Sequence, residues 1–106
     1  MDIEQHKNPS DCCDMSEIRA EIDYLDRAVI ALLGQRFKYV QAAAKFKTSE
    51  TAVRAPERFT AMLQQRREWA IEEQLNPDAI EKLYSDLVKH FIAEELQQWR
   101  QEQQSN

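Results

Sequence analysis

The chain has 106 residues, 42% of them hydrophobic, and its 14 Lys and Arg against 19 Asp and Glu give a formal net charge of −5 at pH 7. That length bounds it to one domain with a modest core. The acidic balance, with no basic run interleaved with aromatics, excludes a general nucleic-acid binder. No signal-peptide pattern and no apolar span of about eighteen residues appears, so no membrane segment and a cytoplasmic location are expected. A single glycine and three prolines leave few breaks, which points to an all-α chain of a few long helices.

Residues 1–13 are polar and aperiodic and are expected to fray. Cys12 and Cys13 within them are adjacent, lack the spacing of a zinc site or disulfide framework, and read as incidental thiols. Asp14 or Ser16 caps a first helix, with Glu17 completing a box-like pattern. That helix is predicted over 15–47, and Gly34 weakens it by about 1 kcal/mol without ending it. At 1.5 Å per residue it would be roughly 45–50 Å long, more than a domain of this size is wide, so a partner chain is needed to cover its apolar stripe. A homodimer is therefore expected. Residues 48–55 read as a loop, and Pro56 opens a second helix with Phe59, Met62, Leu63, Trp69 and Ala70 on its apolar face. Asn76 and Pro77 break the chain and start a third helix that runs to about Gln101, leaving 102–106 loose.

Three charges sit where apolar residues belong. On a wheel of about 100° per residue zeroed at Ile18, Ile22, Leu25, Val29, Leu32, Leu33, Val40 and Ala43 lie within roughly 60°, and Arg36 and Lys47 fall at about 0° and 20° among them. Arg27, Lys38 and Lys45 fall near the opposite pole, where solvated charges belong. On the third helix Glu95 lies inside the stripe of Ile80, Tyr84, Leu87, Val88, Phe91, Ile92 and Trp99. Isolated buried charges are too costly to keep, so these groups either pair with one another or line a pocket for a charged ligand. Inward cations suit a small dianion, because guanidinium grips carboxylate in a bidentate fork. Arg66, also on an apolar face, reads as a snorkelling or ion-pairing structural residue, and Arg19, at about 100°, as a surface one.

Other chemistry lacks equipment. His6 and His90 are far apart, no Ser/His/Asp set suggests itself, and neither a metal-ligand cluster nor a glycine-rich phosphate loop is present. No metal or cofactor is expected, and catalysis would rest on positioning and electrostatics.

The segment Arg19-Ala-Glu-Ile-Asp-Tyr-Leu-Asp-Arg-Ala-Val-Ile-Ala-Leu-Leu-Gly-Gln-Arg36, continuing to Val40 and Lys47, resembles the signature of the all-α chorismate mutases. Within that family the likeness is to the isochorismate pyruvate lyase branch, through Phe46-Lys47-x-Ser49-Glu50, Ala55-Pro56-Glu57-Arg58, Arg66-x-x-Trp69-Ala70-x-Glu72-Glu73 and Ile92-Ala93-Glu94-x-x-x-x-Trp99. The resemblance implies an intertwined homodimer of three-helix chains. It also implies a cofactor-free pericyclic reaction on isochorismate, giving salicylate and pyruvate in siderophore biosynthesis, with weak mutase activity beside it. It assigns Arg36, Lys47 and Glu95 to catalysis, Arg19 to the partner's site and Arg58 to a loop over the substrate. Where mutases follow the loop arginine with a glutamate for the substrate hydroxyl, Phe59 stands here, as expected of a lyase. Where most members place a glutamine facing the ether oxygen, this chain has Glu95, which donates a hydrogen bond only when protonated, so activity is expected to favour mildly acidic pH. A chorismate mutase proper and a non-catalytic helical dimerisation module are the alternatives.

Overall fold

Four α-helices, α1 (Met15–Ala43), α2 (Glu50–Arg54), α3 (Pro56–Glu72) and α4 (Pro77–Gln104), build the computed structural model, which describes residues 7–104. No strand occurs among the described residues, as the all-α expectation requires. The chain divides into two compact units, Met1–Tyr39 and Val40–Asn106.

In the first unit the cap of α1 forms at Asp14 rather than Ser16. Asp14 Oδ1 accepts from the Glu17 amide at 2.9 Å, and Glu17 Oε2 accepts from the Cys13 amide at 2.6 Å and from Lys7 Nζ at 2.9 Å. The first of these bonds satisfies an amide that a helix start leaves without a partner. The same contacts, with a 3-10 turn at Pro9–Asp11, give structure to residues 7–13 of the segment expected to fray, while 1–6 lie outside the described residues. Along α1 no residue is buried, and Ile22, Leu25 and Val29 of its stripe remain 49%, 37% and 51% exposed.

Helix α1 ends at Ala43, four residues before the expected boundary. Ala44–Phe46 tighten into a 3-10 turn and Lys47 turns extended, at φ −101° and ψ 128°. Segment 48–55 is not all loop. Ser49 Oγ accepts from the Ala52 amide at 3.1 Å and so caps the short α2, whose Val53 is 2% exposed and packs toward α4. Ala55 closes α2 in the left-handed region, at φ 41° and ψ 61°, and Pro56 begins α3 at once.

Helices α3 and α4 form an antiparallel hairpin, the most extensive packing in the second unit. Gln74, at φ 61°, ends α3 in a Schellman arrangement, with the Leu75 amide donating to the Ala70 carbonyl at 2.8 Å and the Gln74 amide to Ile71 at 3.1 Å. Asn76 Oδ1 then caps α4, accepting from the amides of Asp78 and Ala79 at 2.8 and 3.1 Å. Met62 and Ala70 from α3 are buried with Leu96 from α4, while Trp69 stays 47% exposed. Arg66, expected to snorkel or to pair with an acid, lies over aromatic rings. Its guanidinium lies 4.6 Å from the Trp69 ring centre and 5.6 Å from that of Tyr84. Helix α4 continues to Gln104, taking in 102–104 of the stretch expected to be loose; residues 105–106 lie outside the described residues.

Candidate active site

The end of α1 delivers Lys47 to α4. The Lys47 amide donates to the Ala44 carbonyl at 3.1 Å, closing the 3-10 turn, and its carbonyl accepts the Trp99 indole N–H at 3.4 Å. With its backbone held at both ends, Lys47 Nζ donates to Glu95 Oε1 at 2.8 Å. The side chains are 23% and 5% exposed, so the pair sits mostly out of water, and Glu95 is the buried charged residue of the described chain. In such surroundings an ion pair persists only with close geometry, which these atoms have.

The wheel assigned Lys47 an inward position on a helix, yet Lys47 has left the helix. What turns it inward is the extended backbone and the Glu95 carboxylate across from it. Glu95 itself faces in as its helical spacing predicted.

A second ion pair secures the same segment. Arg100 Nε donates to Glu50 Oε1 at 2.6 Å, tying the first turn of α2 to α4. That hydrogen bond holds the Glu50 carboxyl below its ordinary value of 4.5, aided by the nearby charges of Arg100 and Arg54. No sequence signal links Glu50 to Arg100 or Lys47 to Trp99, because partners about fifty residues apart meet only through the fold.

The remaining expected site residues stand as follows. Arg58 lies in the first turn of α3 and is exposed. Phe59 beside it is half-buried. Arg36 is half-buried and Arg19 exposed, both on α1 within the unit Met1–Tyr39. The structure thus brings Lys47 and Glu95 into contact. Chemically, this arrangement offers an ammonium donor held by a carboxylate in a place largely shielded from water, with no nucleophile beside it among the hydrogen-bonded partners. Among the described residues no helix is long and apolar enough to cross a membrane.

The family described as chorismate mutase type II matches residues 18–96, a span that takes in Arg19, Arg36, Lys47, Arg58 and Glu95. The chain is 43% identical over 95 residues to the isochorismate pyruvate lyase of Pseudomonas aeruginosa, covering 90% of this chain and 94% of that protein. It is also 37% identical over 81 residues to the T-protein of Haemophilus influenzae, covering 76% of this chain and 20% of that longer one.

Proposed function

The chain belongs to the chorismate mutase type II family, and from that premise we propose that it is an isochorismate pyruvate lyase, acting without a cofactor to release salicylate and pyruvate. The observation that carries this reading is the shielded Lys47–Glu95 pair in a chain so similar, along nearly its whole length, to a lyase of that name. Isochorismate's enolpyruvyl arm folds over the ring, hydrogen passes from C2 to the methylene carbon, and the C–O bond to the ring breaks. One carbon gains what another loses, so a general acid or base has little to do.

The protein's work in this reading is to hold the compact conformer and to stabilise charge gathering on the ether oxygen. Lys47 is the donor to that oxygen, turning from Glu95 when substrate arrives. Glu95 shares the contact when protonated, and as an anion it keeps Lys47 aimed. Arg36 and Arg19 of the partner subunit take the two carboxylates, and Arg58 closes over them. Four cations and one carboxylate leave an excess of positive charge suited to a dianion. A homodimer follows from the same reading and is supported by the exposure of Ile22, Leu25 and Val29 along α1.

Purified protein supplied separately with isochorismate and with chorismate should form salicylate from the first far faster than prephenate from the second. The reverse preference would make it a mutase, and no turnover of either would leave a non-catalytic helical module. Mixing Arg19→Ala and Lys47→Ala chains, each nearly inactive alone, should restore about one working site per heterodimer; mixtures that stay inactive would remove Arg19 from the partner's site.

A further inference from the structure

Lys47 stands in an extended link between two short helical pieces. Its own backbone is at φ −101° and ψ 128°, and Ser49, two residues on, is at φ −152° and ψ 162°. An extended link lacks the ladder of bonds that keeps a helical side chain aimed, so its two ends must be fixed from outside. The upstream end is fixed by the 3-10 turn, through the Lys47 amide and the Ala44 carbonyl. The downstream end is fixed only as well as α2 is. Five residues are too few to hold a helix in water alone, so the place of α2 depends on what it docks against.

Two contacts dock α2, and they differ in kind. Val53, 2% exposed, is its apolar plug toward α4. Apolar burial has no preferred direction, so a helix this short can turn about a single plug without losing it. Arg100 Nε on α4 donates to Glu50 Oε1 at 2.6 Å, and Glu50 is the first residue of α2, three after Lys47. A charge-assisted bond of that length is directional and fixes the turn that the plug leaves open. On α4, Arg100 stands one residue from Trp99 and five from Glu95, the groups that bond to the carbonyl and Nζ of Lys47. The side chains of Arg100 and Glu50 are 52% and 44% exposed, so their pair adds little to overall stability. What it supplies is direction. The charge of Arg54, four residues on within α2, also reaches Glu50. Without Arg100 the carboxylate therefore has a partner inside its own helix, and the turn of α2 against α4 is left unfixed.

We propose that Glu50 and Arg100 are positioning residues, whose ion pair sets the orientation of α2 and through it aims the ammonium of Lys47. This rests on the reading of Lys47 as donor to the reacting oxygen, and it asks neither side chain of the pair to touch substrate. A contact to reacting atoms misplaced by about 1 Å loses up to about a hundredfold in rate, so a loosened link is felt in kcat before it is felt in the fold.

Glu50→Gln and Arg100→Gln should each lower kcat for salicylate release about tenfold with KM changed less than about threefold, and the double variant should fall no further than either alone. The reference is Arg67→Gln, which removes an equally close ion pair, 2.7 Å to Asp78, at the start of α4. Asp78 lies about 25 Å along α4 from Glu95 at 1.5 Å per residue. Arg67→Gln should lower the melting temperature at least as much as either change in the pair and leave kcat unaltered. A second readout needs no substrate. The indole N–H resonance of Trp99, bonded to the Lys47 carbonyl, should shift in Glu50→Gln, while that of Trp69, the chain's other tryptophan, stays. Additive losses in the double variant, an equal loss of kcat in Arg67→Gln, a change in KM alone, or a Trp99 resonance unmoved in Glu50→Gln would each overturn the proposal. A wild-type protein inert toward isochorismate would instead remove Lys47 as the donor, and the Trp99 resonance would still decide whether the pair places its segment.

Discussion

Lys47 is given two tasks, holding a buried carboxylate in the fold and donating to the reacting oxygen, and a double-mutant cycle with Glu95 separates them. Removing one member of a fully buried ion pair costs about 3–5 kcal/mol, whereas an exposed pair contributes about 0–1 kcal/mol. Glu95 is 5% exposed at the side chain but Lys47 is 23% exposed, which places the cost of Lys47→Met near 2 kcal/mol. For a chain of this size that is a fall of roughly 10 °C in melting temperature, compared at one protein concentration because association shifts it too. With Glu95→Gln already present, no charge is stranded, and Lys47→Met should cost under about 0.5 kcal/mol. Turnover should behave differently, falling about a hundredfold or more with Lys47→Met in either background, since the proposed donor to the ether oxygen is lost in both. Urea unfolding by circular dichroism reads the first quantity, and salicylate fluorescence under saturating isochorismate reads the second. Equal destabilisation in both backgrounds would show that the pair does not hold the fold. Recovery of turnover in the double variant would show that Lys47 acts only through Glu95. Glu95→Gln alone, which keeps shape and supplies a permanent N–H donor, should stay active at neutral pH with a flatter pH profile than wild type. Inactivity at every pH with the fold intact would mean that the carboxylate works as an anion.

Ala55→Gly should stabilise the protein by about 0.5 kcal/mol, because Ala55 occupies the left-handed region at φ 41°, where a β-carbon is costly and glycine's greater unfolded freedom offsets only part of the relief; a lowered urea midpoint would refute it. The Glu50 carboxyl is held below its ordinary value of 4.5 in the fold, so the Arg100 contact contributes above that value and is lost as pH falls through the lower, folded one. The gap in urea midpoint between wild type and Glu50→Gln should accordingly be present at neutral pH and shrink as the pH is taken below the ordinary carboxyl value; a gap that widens with acid would contradict the sign.

The helices were legible in sequence because their signals are local. Asp14 with Glu17, Pro56 at a helix start and Asn76 before Pro77 each mark a boundary within four residues. Glu95 was legible for the same reason, since helical spacing alone carries it inward. Helix α2 was not, since its only cue was Ser49 and five residues are too few for a periodic stripe. The inward turn of Lys47 was reached from the wrong premise, a helix extended through residues that in fact tighten and unwind. Glu50 and Arg100 come from two helices and read singly as solvated charges, so only their meeting in space distinguishes them.

Segment 47–50 has no backbone pairing with α4. It is tied there by Lys47 to Glu95, by the Trp99 indole to the Lys47 carbonyl, and by Arg100 to Glu50. All three attachments fall within residues 95–100, about a turn and a half of helix. The end of α4 therefore serves as a clasp on a segment half the chain away, and anything that frays it loosens Lys47 before it disturbs the hairpin. A fusion joined directly after Gln104, or a cut within the last turns, would be felt first as misplacement of one ammonium group, with the bulk of the helical signal intact.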